Sequence, residues 1–152
     1  MACPYTVADL LPQARPMILL DEVLDWSDSS VRACVCIRDD ARFAVPDRGV
    51  PAHVGIEFMA QACGVFAGLE AKSLGHPVHI GFLLGSRRYL AVCSWFVPGE
   101  RLEVCVTSVF REGPMAVFDC RIEAGDAVLA TAQLTCYQPD DERTVLSGQA
   151  MG

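Results

Sequence analysis

His53, Glu57 and Gln61 stand four residues apart in a stretch that is otherwise apolar, PAHVGIEFMAQACGVFAGLE. At that spacing they share one face of a helix. Glu57 is the only charge between Val54 and Leu69, and an ionised carboxylate is costly to place in apolar surroundings. Loss of water favours the protonated carboxyl, the form that can deliver a proton near neutral pH. The expectation is a partly desolvated general acid at Glu57. The alternative is a Glu on the one wet face of the helix, or one set near the helix start to suit its dipole. His53 lies close to that start, where the positive dipole end favours neutral imidazole. A neutral His beside a protonated Glu would make a base and acid pair. Against that stands a capping histidine bonded to backbone.

Other candidates are thinner. Eleven of the twelve bases are Arg, and Arg87-Arg88 fall in a strand-like run. Regular alternation puts them on opposite faces, so one could meet a cleft or rim. The guanidinium fork suits phosphate or acidic groups, whereas a solvated strand edge needs no such ligand. His76 and His79 flank Pro77 and Val78 and read as structural. Ser86 has no His or acid at a nucleophile-elbow spacing, and Gly81, Gly85 and Gly99 do not form a phosphate-cradling loop. The eight cysteines (3, 34, 36, 63, 93, 105, 120 and 136) contain no C-x-x-C pair, and no His completes a zinc spacing. No metal site is expected. Five of them, Cys34, Cys36, Cys105, Cys120 and Cys136, sit in β-branched runs, where reduced Cys serves as a small hydrophobe.

The elements that must hold these residues follow from patterning. A helical turn near Val7–Leu11 ends at Pro12. Strands at Met17–Trp26 and Val31–Arg38 flank the turn Ser27-Asp28-Ser29-Ser30 and read as a hairpin. Residues 39–50 are loop by composition. Pro51 suits a first helical position, and one long helix runs from Ala52 to about Ser73. It is apolar round most of its girth, so it must be buried on several sides. Strands follow at Val78–Val92, Arg101–Arg111, Met115–Ala124 and Ala127–Gln138. In the third of these, Ala116, Phe118, Cys120 and Ile122 alternate with Asp119, Arg121 and Glu123. The order of two strands, a buried helix and four strands fits an α+β hot-dog fold, an antiparallel sheet of five to six strands wrapped round one helix. A polar tail follows Pro139, outside a core of about residues 10–138.

Composition narrows the function. The chain has 152 residues, 52% hydrophobic, with 19 acids against 12 bases. That is one domain's length, too apolar for disorder, and its negative field opposes nucleic acid. The run Val54–Leu69 is 16 residues interrupted by Glu57 and Gln61, short of the roughly 20 clean residues a bilayer requires. The N-terminus has no signal-peptide pattern. A cytoplasmic protein with reduced thiols is expected.

Several segments in order resemble the hot-dog dehydratases that act on 3-hydroxyacyl groups of acyl carrier protein, from about Leu10 to Tyr137. LLPQARPMILLDEVLDW is similar to their opening strand. PAHVGIEFMAQACG resembles their helix motif, with Pro51, Glu57, Ala60 and Gln61 matching. FLLGSRRYLAVCSWFVPGERLEV is similar to their third and fourth strands, with the turn Pro98, Gly99, Glu100 and Leu102. P-A-x-V-G-I-E and G-F-L-L-G-x-R-R-Y look like the branch found with aryl-polyene-type biosynthesis.

The resemblance implies Glu57 as the acid that protonates the departing 3-hydroxyl. Backbone N–H groups near the helix start would polarise the thioester carbonyl. Gln61 would support the pocket, and Arg87 or Arg88 could meet the phosphopantetheine arm or its acidic carrier. No cofactor is implied. One departure stands out: the family's catalytic His lies fourteen residues before the Glu, and that position here is Phe43, while Ala52 replaces the Gly after Pro51. Sites of this family form between subunits, so the reading is half an active site, completed in a heterodimer with a related hot-dog subunit; a homodimer is the other assembly expected. His53 as a relocated base is the second option. A hot-dog thioesterase and a non-catalytic partner subunit are the other classes.

Overall fold

Strands β1 (Glu22–Trp26) and β2 (Ser30–Cys36) form the expected hairpin. Its turn closes where the Ser27 N–H donates to the Ser30 carbonyl at 2.9 Å. The chain is described by a computed structural model at residues 3–11, 18–76 and 82–137. The strand starts expected at Met17 and Val78, His79, and the tail after Pro139 lie outside those residues. Ahead of the hairpin, helix α1 (Val7–Leu10) carries a capping box, Thr6 and Asp9 each bonding the other's backbone. Beyond it come β3 (Val50–Pro51), a single 3-10 turn (Ala52–Val54) and the long helix α2 (Gly55–Ser73). Strands β4 (Phe82–Ala91), β5 (Trp95–Phe96), β6 (Arg101–Glu112), β7 (Met115–Ala124) and β8 (Ala127–Tyr137) complete the described chain.

The main sheet is six-stranded and antiparallel, in the order β1-β2-β6-β7-β8-β4. Alternation in β7 is as expected: Ala116, Phe118, Cys120 and Ile122 are buried, while Asp119 and Arg121 face solvent. The buried face receives α2, whose Phe58, Met59, Ala62, Cys63, Val65, Phe66 and Leu69 join the core. Phe66 meets Phe118 edge-on with ring centroids 5.4 Å apart. Burying side chains of this size stabilises the fold by about 1.5–3 kcal/mol each. A hot-dog fold is therefore what the sequence adopts.

A second flank of α2 is covered by the N-terminal segment. Gly68 admits the Leu10 backbone so closely that a side chain there would collide with it, and Gly64 receives the Leu11 side chain. By length and mean hydropathy the stretch Ala52–Ser73 could span a bilayer, but 67% of its apolar 18-residue window is buried inside the fold. It is the core helix. Residue patterning does not signal the short β3–β5 ladder, which pairs Val50 with Phe96 and Pro51 with Trp95. Two residues per strand carry no periodicity. Gly49, at φ +106°, is pressed against the Phe96 carbonyl and has no room for a side chain.

Candidate active site

Pro51 is the last residue of β3 and directly precedes the 3-10 turn, one place earlier than a first helical position. Its ladder partner Trp95 anchors the turn to β5, and the Ala52 N–H donates to the Ser94 carbonyl at 3.0 Å. The start of α2 is thus tied to the loop ahead of β6, and the polar stripe begins from that fixed point.

Gln61 is the one buried polar side chain among the described residues, 2% exposed. Its Oε1 accepts the Leu19 N–H at 2.8 Å, and its Nε2 donates to Glu57 Oε1 at 3.3 Å. Fixing the amide oxygen on Leu19 leaves the NH₂ as the end directed at Glu57. His53 lies one helical turn before Glu57 and is exposed.

Glu57 itself is exposed in the single chain, which corrects the expectation of apolar surroundings. The sheet and the N-terminal segment cover most of α2 but leave one stripe open. On it lie His53, Glu57, Ala60, Ala67 and Ala71, the alanines half-buried. Apolar neighbours in sequence do not bury a residue whose own face looks outward. This chain does not itself desolvate Glu57.

Ala52 is buried, and its carbonyl accepts both the Gly55 N–H and the Tyr89 hydroxyl. Tyr89 was not singled out from sequence. It is half-buried, and burial pushes its phenol up to about 12. Gly55 lies directly beneath the hydroxyl, where a side chain would collide with it.

The remaining candidates lie elsewhere. Phe43 is 49% exposed on the 39–49 loop at φ +70°, with the Arg42 guanidinium 5.2 Å from its ring centroid. A turn closed by Ala44 N–H to the Ala41 carbonyl at 3.0 Å holds it there. Arg87 and Arg88 are exposed on β4, at the sheet edge. Their expected alternation fails, because the register shifts between Arg87 and Leu90 and Arg88 adopts φ +56°. Arg88 lines a groove of about 380 Å³ with Thr107, Asp119, Arg121, Thr131 and Gln133, away from the Glu57 stripe. Among the described residues no cluster of His, Cys, Asp or Glu is arranged to hold a metal ion.

The arrangement offers an oriented carboxylate, a neighbouring imidazole and a helix start on one open face. Solved structures bear on it. The dehydratase heterocomplex ApeI:P from Xenorhabdus doucetiae superposes with a TM-score of 0.85 at 28% identity, over 95% of this chain and 97% of that one. A hypothetical thioesterase with coenzyme A from Streptococcus pneumoniae, 15% identical with a TM-score of 0.59 over 77% and 84%, shares the fold. The 3-hydroxyacyl-[acyl-carrier-protein] dehydratase FabZ of Agrobacterium fabrum is 28% identical over 133 residues, 84% of each chain. That of Streptococcus pyogenes is 30% identical over 129 residues, 82% of this chain and 90% of its own. Residues 5–147 match the family model of ApeP-like proteins, described as ApeP dehydratase, and the chain belongs to that family.

Proposed function

We propose that this chain is a dehydratase subunit that removes water from 3-hydroxyacyl thioesters of acyl carrier protein, and that it supplies the acid half of a shared site. The observation that carries the reading is the Leu19–Gln61–Glu57 relay, which tethers the one carboxyl on the open stripe of α2. In the reaction a base takes a proton from the carbon next to the thioester carbonyl. The electron pair forms the carbon–carbon double bond, the C3–O bond breaks, and protonated Glu57 gives its proton to the departing oxygen, which leaves as water. A backbone N–H in the 3-10 turn that leads into α2 faces the carbonyl oxygen as it gains charge.

The base is assigned to a related hot-dog subunit, because Phe43 stands where the family resemblance places the His. The same subunit would cover the open stripe of α2 and supply the desolvation that this chain lacks. The ApeI:P assembly is, by its name, a dehydratase heterocomplex, which supports a two-subunit reading. Arg87, exposed at the β4 edge, suits the phosphopantetheine phosphate or the acidic carrier, whereas Arg88 opens on the groove away from the Glu57 stripe. No cofactor enters the scheme. We place the protein in the cytoplasm, where its eight cysteines remain thiols.

Incubating the chain alone and with its related subunit on 3-hydroxydecanoyl carrier protein tests this by intact-protein mass spectrometry. The reading predicts loss of one water from the carrier-bound product only when both subunits are present. Free acid and bare carrier would instead identify a thioesterase. Full turnover by the lone chain, retained on His53→Ala, would refute the shared site and the relocated base together.

A further inference from the structure

A trans peptide sets its C=O and N–H on opposite sides of one rigid plane. The peptide between Ala52 and His53 is gripped at its oxygen from two directions, by the Gly55 N–H and by the Tyr89 hydroxyl. Whatever fixes the Ala52 carbonyl therefore aims the His53 N–H. That N–H opens the helix and has no preceding turn to accept it, while the N–H before it is already committed to Ser94. Two donors on the carbonyl also polarise the peptide and strengthen the donor at its far end.

The way Tyr89 reaches this position is unusual. Strand β4 breaks its register between Arg87 and Leu90, and Arg88 sits in the left-handed region at φ +56°. Such a conformation is uncommon for a residue with a side chain and strains the backbone. Bulges re-aim side chains. This one turns Tyr89 out of the strand's alternation and onto the helix start. On the receiving side Gly55 supplies the clearance, since any larger residue would meet the hydroxyl, Ile122 and Phe96. A strained strand and a missing side chain thus converge on one hydrogen bond. The phenol, raised by burial, stays a proton donor throughout the physiological range.

We infer that Tyr89 is a positioning residue for the dehydration site: through the Ala52 carbonyl it aims the His53 N–H at the thioester oxygen. This rests on the function proposed above. It separates Tyr89 from a mere packing residue, because the hydroxyl alone carries the role.

Tyr89→Phe keeps the ring and removes the hydroxyl. It is assayed in the assembled two-subunit complex on 3-hydroxydecanoyl carrier protein, beside wild type. The expected result is a fall in kcat of about tenfold to a hundredfold, with KM within about twofold. The carbonyl stretch of a bound ¹³C-labelled trans-2-enoyl thioester should also shift toward its frequency in free solution. Circular dichroism establishes that the variant is folded; if it is not, Tyr89→Trp together with the carbonyl shift serves instead. An active wild type with Tyr89→Phe unchanged in kcat and carbonyl frequency would overturn this inference alone. A wild-type complex with no dehydration would overturn the proposed function, and this inference with it.

Discussion

Gln61 is the side chain whose loss both the fold and the site should feel. Its amide serves the Leu19 N–H and Glu57 at once. Gln61→Leu keeps the volume but strands a partly buried donor, so chemical denaturation should show a loss of about 1–3 kcal/mol. A freed Glu57 should also cost turnover about tenfold in steady-state assays, since small misplacements of a reacting group are expensive. A second residue-scale effect concerns Glu123. Burial favours its protonated form, but hydrogen bonds from Arg32 and Arg121 outweigh that and hold the carboxyl below its usual range. A depressed acid contributes stability above its ordinary pKa, and that contribution is lost as pH falls through the lowered value. Thermal midpoints of wild type should therefore drop toward those of Glu123→Gln as the pH is lowered through the acid range. At this scale the Glu57–Gln61 contact was legible, because side chains four residues apart meet on any helix. Solvent exposure of Glu57 was not legible, since a neighbour in sequence is not a neighbour across a face.

At the scale of elements, the seat of α2 depends on glycines. Gly68 lies against the Leu10 backbone, which cannot swing aside as a flexible side chain would. Gly68→Ala should push α1 off the helix and destabilise the fold by about 1–3 kcal/mol. Hydrogen exchange would then show lost protection in residues 7–11 while the sheet keeps its own. Long elements were readable: β7 and β8 begin where patterning places them, and α2 ends at Ser73 as expected. Tyr89 was not readable, because an Arg at positive φ has no sequence signal and a bulge reverses the face that alternation assigns. The β3–β5 ladder escaped for a simpler reason. Its residues pair through tertiary closure, with Phe96 fully buried against Phe58 at 5.9 Å between ring centroids.

For the whole molecule, the outer face of the sheet is laced by ion pairs: Arg32 to Glu103 at 2.6 Å and to Glu123 at 3.1 Å, with Arg101 and Arg121 at the flanks. That face is satisfied by its own charges. The open stripe of α2 is not, and its alanines offer little bulk to a neighbouring surface. The hot-dog architecture was legible because a helix apolar on nearly every side admits few arrangements other than a sheet wrapped round it. The site's completion was not, because on the proposed reading the rest of its walls would belong to another chain. Dehydration by the reconstituted two-subunit complex, compared between wild type and Glu57→Gln of this chain at matched assembly, tests the central claim most directly. The account predicts a fall of at least about a hundredfold in kcat, with assembly and carrier binding intact; turnover equal to wild type would contradict it and leave this chain a scaffold.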